Sequence, residues 1–433
     1  MLRMLLLLTA LFAFSVCAPN FLDKNQQFQS YVEKAKILDY TSNDEAWENL
    51  REKWENKQNL KIRVLGDSHV AGDFLTQELR VILGNANSIG FTYPLMPPYH
   101  QNVLLSYDYE NFDILDSRKK IEGYTPDYPL GGVIAVANEG LASLKLDIKE
   151  NLLNIGDKGF TTHIVFSGQP KKGAFVVEDS KGVSLTLTPS SNKWEIANHY
   201  LSFPISIRAL HQGAKLGGYF IYKDQNPLLI EHLGVNGVRS DIWLKWDLRA
   251  LRSELRLLEY DLIVLFYGSN DATLDNINEE KFIENYSRLI EILRDHNPQA
   301  LILLVSPPPV LLATQKEIRR ATGVRHIKVI QQAPGFEAVR KALRILAKRE
   351  GTLLFDASDF ISDTGSKDSW VKDNLSKEDV HLSPSGYKLI AHALHRGLQN
   401  LILQKSLISS NLDSKNGTKT SRLDPLQNPV VSE

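Results

Sequence analysis

Four short stretches of this 433-residue chain carry side chains that could do chemistry together. The first is Gly66-Asp67-Ser68-His69-Val70. An apolar run from Ile62 to Leu65 stops there, and Val70, Phe74, Leu75, Leu79, Ile82 and Leu83 then recur at helix spacing. A strand, a sharp turn and a helix present one hydroxyl at the C-terminal edge of a parallel sheet. Ser68 would meet the unpaired N–H groups and positive dipole of a helix start. That setting suits a nucleophile whose reaction builds an oxyanion. The same residues also suit an ordinary N-cap, which from this stretch alone is the simpler reading.

A nucleophilic serine needs a base, an orienting acid and oxyanion donors. Among eleven histidines, His381 lies in a loop with Glu378 and Asp379 just before a helix opened by Ser383-Pro384. A carboxylate there could fix the imidazole tautomer through Nδ1. Tyr267-Gly268-Ser269-Asn270-Asp271 follows the apolar run 261–266, and the Asn270 amide could donate to an oxyanion. Gly237, in His232 to Arg239, could bring a bare backbone N–H to the same point. Each has a plainer reading: a surface histidine, a turn asparagine, a tight-turn glycine. All four, in this order at strand exits, are much harder to obtain by accident. His69 follows Ser68 directly, so its side chain points the wrong way to act on it. His163, His199 and His211 read as surface. His392 and His395, three apart with no third ligand, read as exposed helix polar rather than a metal pair.

The elements that must position these residues come in two styles. Residues 19–59 read as two amphipathic helices, with Phe28, Tyr31, Val32 and Ala35 on one face and Trp47, Leu50 and Trp54 on another. From about 101 to 232 short Val, Ile, Thr and Tyr runs alternate with turn signals, the pattern of a β-sandwich. After 233 helices alternate with the apolar strands 261–266, 301–305 and 352–355, which implies a parallel sheet covered on both faces. The expected division is a signal peptide at 1–18, an α/β domain in two parts (19–100 and 233–405), an inserted β module (101–232), and a polar tail (406–433) expected to be disordered.

Lys and Arg total 50 against 51 Asp and Glu, so no global field favours nucleic acid or an anionic membrane. Met1-Leu2-Arg3, then an apolar run to about Val16, then Cys17-Ala18, looks like a secretory signal. The run is short for a membrane span, so no integral segment is expected after its removal. Val16 is a poor neighbour for a lipidated cysteine, which argues against an anchor at Cys17. Cys17 is the only cysteine, so the mature chain would hold no disulfide and no thiolate metal site. These features suit a bacterial periplasm.

Taken together, Gly66-Asp67-Ser68, Gly237, Gly268-Ser269-Asn270-Asp271 and His381 with its acid resemble the four blocks of the SGNH (GDSL-type) hydrolases. The resemblance covers the α/β part and implies a flavodoxin-like, three-layer α/β fold. It implies Ser68 as nucleophile and His381 as general base, with Ser68 and Gly237 N–H and the Asn270 amide as oxyanion hole. The family's acid usually lies three residues before the histidine. Glu378 has that spacing and Asp379 the residue type; we read Asp379 as the acid and keep Glu378 as the alternative. No Gly-x-Ser-x-Gly elbow is present.

The export signal, the β insert and Leu233-Gly234-Val235-Asn236-Gly237-Val238 further resemble the bacterial peptidoglycan O-acetylesterases. In that group the insert is similar to a family 35 carbohydrate-binding module. The activity implied is removal of acetyl from the C6 hydroxyl of N-acetylmuramic acid, with O-acetylated peptidoglycan or a related glycan as partner and neither cofactor nor metal. Two alternatives remain at this point: an SGNH acetyltransferase or an esterase for another surface glycan, and a non-catalytic cell-wall binding protein. Oligomeric state is not encoded in any of these features.

Overall fold

A computed structural model describes residues 19–122, 126–138, 141–149, 153–320 and 323–417. The expected signal peptide with Cys17, and residues 418–433 of the expected tail, lie outside the described residues. The central sheet runs in the order Leu38–Asp39, Leu353–Phe355, Leu301–Val305, Leu262–Phe266, Lys61–Gly66, Leu229–Gly234. Every neighbouring pair is parallel except the short Leu38–Asp39 edge. Numbered along the chain, the five parallel strands stand 2-1-3-4-5, the flavodoxin-like order. The order reverses between strands 61–66 and 262–266, and ligands of such sheets sit outside the carboxyl ends at that point. Ser68 and the 267–271 loop leave the sheet there.

Alternation along these buried strands feeds two cores. Ile62, Val64, Leu262 and Val264 pack with Trp54, Leu75, Leu389 and Leu394, from helices Asp44–Asn56, Phe74–Ile82 and Pro384–Gly417. Leu65, Ile263 and Leu265 pack with Leu251, Leu289 and Leu343, from helices Leu248–Leu255, Glu279–His296 and Phe336–Glu350. The protein is therefore a three-layer α/β fold. Across the sheet runs one buried polar link. Arg63 Nε donates to Glu231 (2.5 Å), whose other oxygen accepts from Phe91 N–H (2.6 Å) and the Tyr260 hydroxyl.

Two antiparallel sheets form the inserted sandwich. One runs 184–187, 175–179, 205–209, 143–148, 105–110; the other runs 195–202, 159–167, 215–222, 133–137, 112–116. Strand Gly159–Ser167 is buried throughout, because both its faces are covered. Phe160, Ile164 and Phe166 face the core between the sheets, whereas Val165 joins the core shared with the α/β domain. The sandwich is thus packed onto the parallel sheet rather than tethered to it.

Several local expectations change. Gly90–Thr92, read with the first α/β part, pairs with strand Lys215–Tyr222 of the sandwich. Leu229–Gly234, read as the sandwich's end, is the edge strand of the parallel sheet. The helix after Ser68 is broken into Ser68–Ala71 and Phe74–Ile82, because Asp73 adopts a left-handed φ of 58°. Its buried carboxylate there receives Arg80 Nη1 (2.9 Å) and Val103 N–H (2.9 Å). The first amphipathic segment is two short helical pieces, Phe21–Lys24 and Gln26–Val32, joined at Asn25. Leu311–Arg320 and Gly323–Gln332 form an antiparallel hairpin, which the charge-interrupted sequence pattern did not signal. The last helix continues past 405 to Gly417. His163 and His392 are buried, not exposed: His163 meets the Tyr222 hydroxyl (2.9 Å) and His392 meets Glu78 (2.9 Å). His395 stacks on Trp54.

Candidate active site

Ser68 opens a single helical turn directly after strand Lys61–Gly66. That turn lies against the neighbouring strand at Gly234, where an added Cβ would stand 2.2 Å from Ala71 N. Only a glycine allows the serine turn to sit this deep. Asp67 is the N-cap and accepts from His69 N–H (3.0 Å). A four-residue turn has little dipole, so its free N–H groups matter more than its field.

Ser68 Oγ lies 3.0 Å from His381 Nε2. The two residues are 313 positions apart in sequence and meet only through the sheet edge. On the other side of the ring, His381 Nδ1 lies 3.3 Å from Asp379 Oδ1. The same oxygen accepts the His381 backbone N–H at 2.8 Å, so the Asp379 carboxylate is fixed by a two-residue turn. Among the described residues the carboxylate that meets His381 is Asp379; Glu378 is exposed. Burial raises the Asp379 pKa, but the His381 backbone N–H and imidazole outweigh it and hold the carboxyl below its usual range. Lys367, buried nearby, is pushed down to about 8 by burial against the pull of Asp379.

The Asn270 amide donates to the Val238 carbonyl (2.8 Å) and lies 3.4 Å from Asp67 Oδ2. The second contact is longer than an ordinary N–H···O bond, so that hydrogen is the one available to a ligand. Gly237 and Asn270 line one cavity of about 320 Å³. Among the described residues the backbone N–H groups of Ser68 and Gly237 have no backbone acceptor. Asp271 anchors this side by accepting Ser240 N–H (3.0 Å) and Oγ–H (2.9 Å). Burial pushes Asp271 up to about 6 and Asp67 up to about 7.

Sequence reasoning missed what holds these parts together. His69 is buried, with Nε2 2.7 Å from Ser269 Oγ and Nδ1 3.0 Å from the Tyr387 hydroxyl. Burial keeps its pKa well below the usual value, so the ring is neutral. It joins the serine turn, the asparagine loop and the helix after His381. Adjacency to Ser68 was the only signal for it. Among the described residues, no group of three or more His, Cys, Asp or Glu converges as a metal site would require. No described helix is long and apolar enough to cross a membrane.

Comparison with known proteins bears on this geometry. Residues 214–389 match the GDSL-like Lipase/Acylhydrolase family. That stretch, which holds Gly237, Asn270 and His381, is a GDSL-type hydrolase region. The match to an acylhydrolase model makes the protein an ester hydrolase. Residues 88–206 match the N-terminal region of the peptidoglycan O-acetylesterases. The Ser68 block precedes both matched ranges, so its place in the site rests on the structure. A solved structure titled "Peptidoglycan O-acetylesterase in action, 5 min" has a TM-score of 0.69 at 22% identity, covering 85% of this chain and 99% of that one. A Bacillus subtilis protein, YXIM, has a TM-score of 0.33 at 12% identity over 68% of this chain and 90% of its own. A family 3 carbohydrate esterase from Talaromyces cellulolyticus has a TM-score of 0.29 at 16% identity over 42% and 76%. No curated protein matches the chain in sequence.

Proposed function

We propose that the protein is an exported, periplasmic esterase that removes acetyl groups from O-acetylated peptidoglycan, at the C6 hydroxyl of N-acetylmuramic acid. The observation that carries the reaction class is the line from Ser68 Oγ to His381 Nε2 (3.0 Å) and from Nδ1 to Asp379 (3.3 Å). The peptidoglycan assignment is supported by the match of residues 88–206 to the O-acetylesterase N-terminal region.

In this mechanism Ser68 Oγ attacks the acetyl carbonyl as its proton passes to His381 Nε2. Asp379 holds Nδ1–H toward itself and stabilises the imidazolium. The tetrahedral oxyanion is held by Ser68 and Gly237 N–H and by the Asn270 hydrogen that now faces Asp67. The C–O bond to the sugar then breaks, and the sugar oxygen leaves with the proton from His381. Water, deprotonated by His381, attacks the acetyl-serine; acetate leaves and Ser68 regains its proton. No step calls on a metal or organic cofactor. The sandwich, similar by position to a carbohydrate-binding module, would help hold the glycan. A chromogenic acetate ester tests the reaction class: it should be cleaved by the wild type and not by Ser68→Ala. No cleavage by the wild type would return the non-catalytic binding reading.

A further inference from the structure

Asn236, the residue before Gly237, is held on both its carbonyl and its N–H by residues outside the four motif stretches. Arg118 Nη1 donates to the Asn236 carbonyl at 3.0 Å. Arg118 belongs to the inserted sandwich, in the turn after strand Phe112–Asp116, and is itself oriented by Nε–Asp116 Oδ2 at 2.6 Å. His100, in the segment leading into the sandwich, accepts the Asn236 N–H on Nε2 at 3.1 Å. Burial pushes His100 down to about 4, so the ring keeps the lone pair this bond needs.

We infer that Arg118 is a positioning residue for the oxyanion hole, contributed by the β insert. The Asn236 carbonyl and the Gly237 N–H belong to one peptide group. The one cis peptide among the described residues is Phe203–Pro204, so this group is trans. In a trans peptide the C=O and N–H point in opposite directions within one plane. Fixing the carbonyl on Arg118 therefore fixes the direction of the Gly237 N–H. The need is real, because Gly237 sits at φ +74°, where a turn with no Cβ is otherwise free to rotate. A cationic donor on the carbonyl also polarises the amide and strengthens its N–H as a donor. A second link, Lys245 Nζ to the Ser117 carbonyl (2.8 Å), docks the same sandwich turn without touching this peptide. The insert thus completes the reaction centre as well as covering the sheet.

The inference rests on the reading of Gly237 N–H as an oxyanion donor. Removing one such donor costs about 10²–10³ in rate, and loosening one should cost part of that, about 10–100-fold. The test compares Arg118→Ala, Arg118→Lys, Lys245→Ala and Ser68→Ala on a chromogenic acetate ester, with thermal melts as a fold check. Methylboronic acid serves as inhibitor, since its serine adduct carries a tetrahedral oxyanion. Arg118→Ala should lower kcat about 10–100-fold with KM within about twofold, and weaken boronate inhibition in proportion. Arg118→Lys should recover part of both, and Lys245→Ala should change kcat less than about threefold. Wild-type kcat in a folded Arg118→Ala enzyme that Ser68→Ala silences overturns this inference alone. An equal loss in Lys245→Ala also overturns it, since docking rather than peptide aiming would then be at work. Activity surviving Ser68→Ala would overturn the catalytic reading itself. If Arg118→Ala does not fold, Arg118→Lys carries the test: full kcat with weakened boronate inhibition, or the reverse, overturns the inference, and a parallel loss of both supports it.

Discussion

Replacing Asp379 separates the two carboxylates that the sequence offers His381. Asp379 Oδ1 makes two contacts, one with Nδ1 of the ring (3.3 Å) and one with the His381 backbone N–H (2.8 Å). A buried triad aspartate is worth about 10⁴ in kcat. The Asp379 side chain is 58% exposed, and the His381 side chain is 35% exposed. Water can therefore replace part of the bond, and solvent screens the charge. Asp379→Ala should lower kcat about 10²–10³-fold, which corresponds to about 3–4 kcal/mol of transition-state stabilisation. Asp379→Asn keeps an oxygen for the backbone N–H but not the charge, so it should retain more activity than alanine while still falling at least about tenfold. Glu378→Ala, on an exposed side chain, should stay within about threefold of wild type. Initial rates on a chromogenic acetate ester, with KM determined for each variant, measure all three. A loss of orders of magnitude in Glu378→Ala, with Asp379→Ala near normal, would refute the assignment and show that the loop rearranges in the working enzyme.

Asn270→Ala should lower kcat about 10²–10³-fold with little change in KM, and near-normal turnover would remove Asn270 from the oxyanion hole. Glu254 is wholly buried, accepts the Leu130 N–H at 3.1 Å, and is pushed by burial from 4.5 up to about 8. Its folded pKa is raised, so the native state holds an extra proton between those values, and stability should fall as pH rises from about 4.5 to about 8. The loss attributable to this group is on the order of 5 kcal/mol, and Glu254→Gln should flatten that part of a denaturation-versus-pH curve; an unchanged slope would count against a protonated Glu254.

The parallel sheet was legible because buried strands read as unbroken apolar runs. Leu262–Phe266 and Leu301–Val305 could hardly be anything else. The placement of Ser68 and Asn270 was legible because each follows such a strand, and that of His381 because its loop runs straight into a helix opened by Ser383-Pro384. The sheet then brings together residues hundreds of positions apart. What was not legible depends on tertiary partners. Gly90–Thr92 carries no mark that it pairs with strand Lys215–Tyr222 rather than with the first sheet. Leu229–Gly234 follows the sandwich without a break in β character, and only its parallel pairing to Lys61–Gly66 assigns it. The break at Asp73 comes from a carboxylate that serves Arg80 and Val103, contacts that no helix pattern reveals. Arg118 and His100 looked like ordinary polar residues, because a bond to a backbone carbonyl or N–H far along the chain has no sequence signature.

The central claim is that Ser68 carries acetyl from a cell-wall glycan to water. Acetate released from O-acetylated peptidoglycan, measured side by side for wild type and Ser68→Ala, addresses it most directly. The expected result is steady acetate release by the wild type and none above background for Ser68→Ala. Release that persists in Ser68→Ala would contradict the nucleophile, and a wild type that cleaves simple acetate esters but leaves the peptidoglycan acetylated would contradict the substrate.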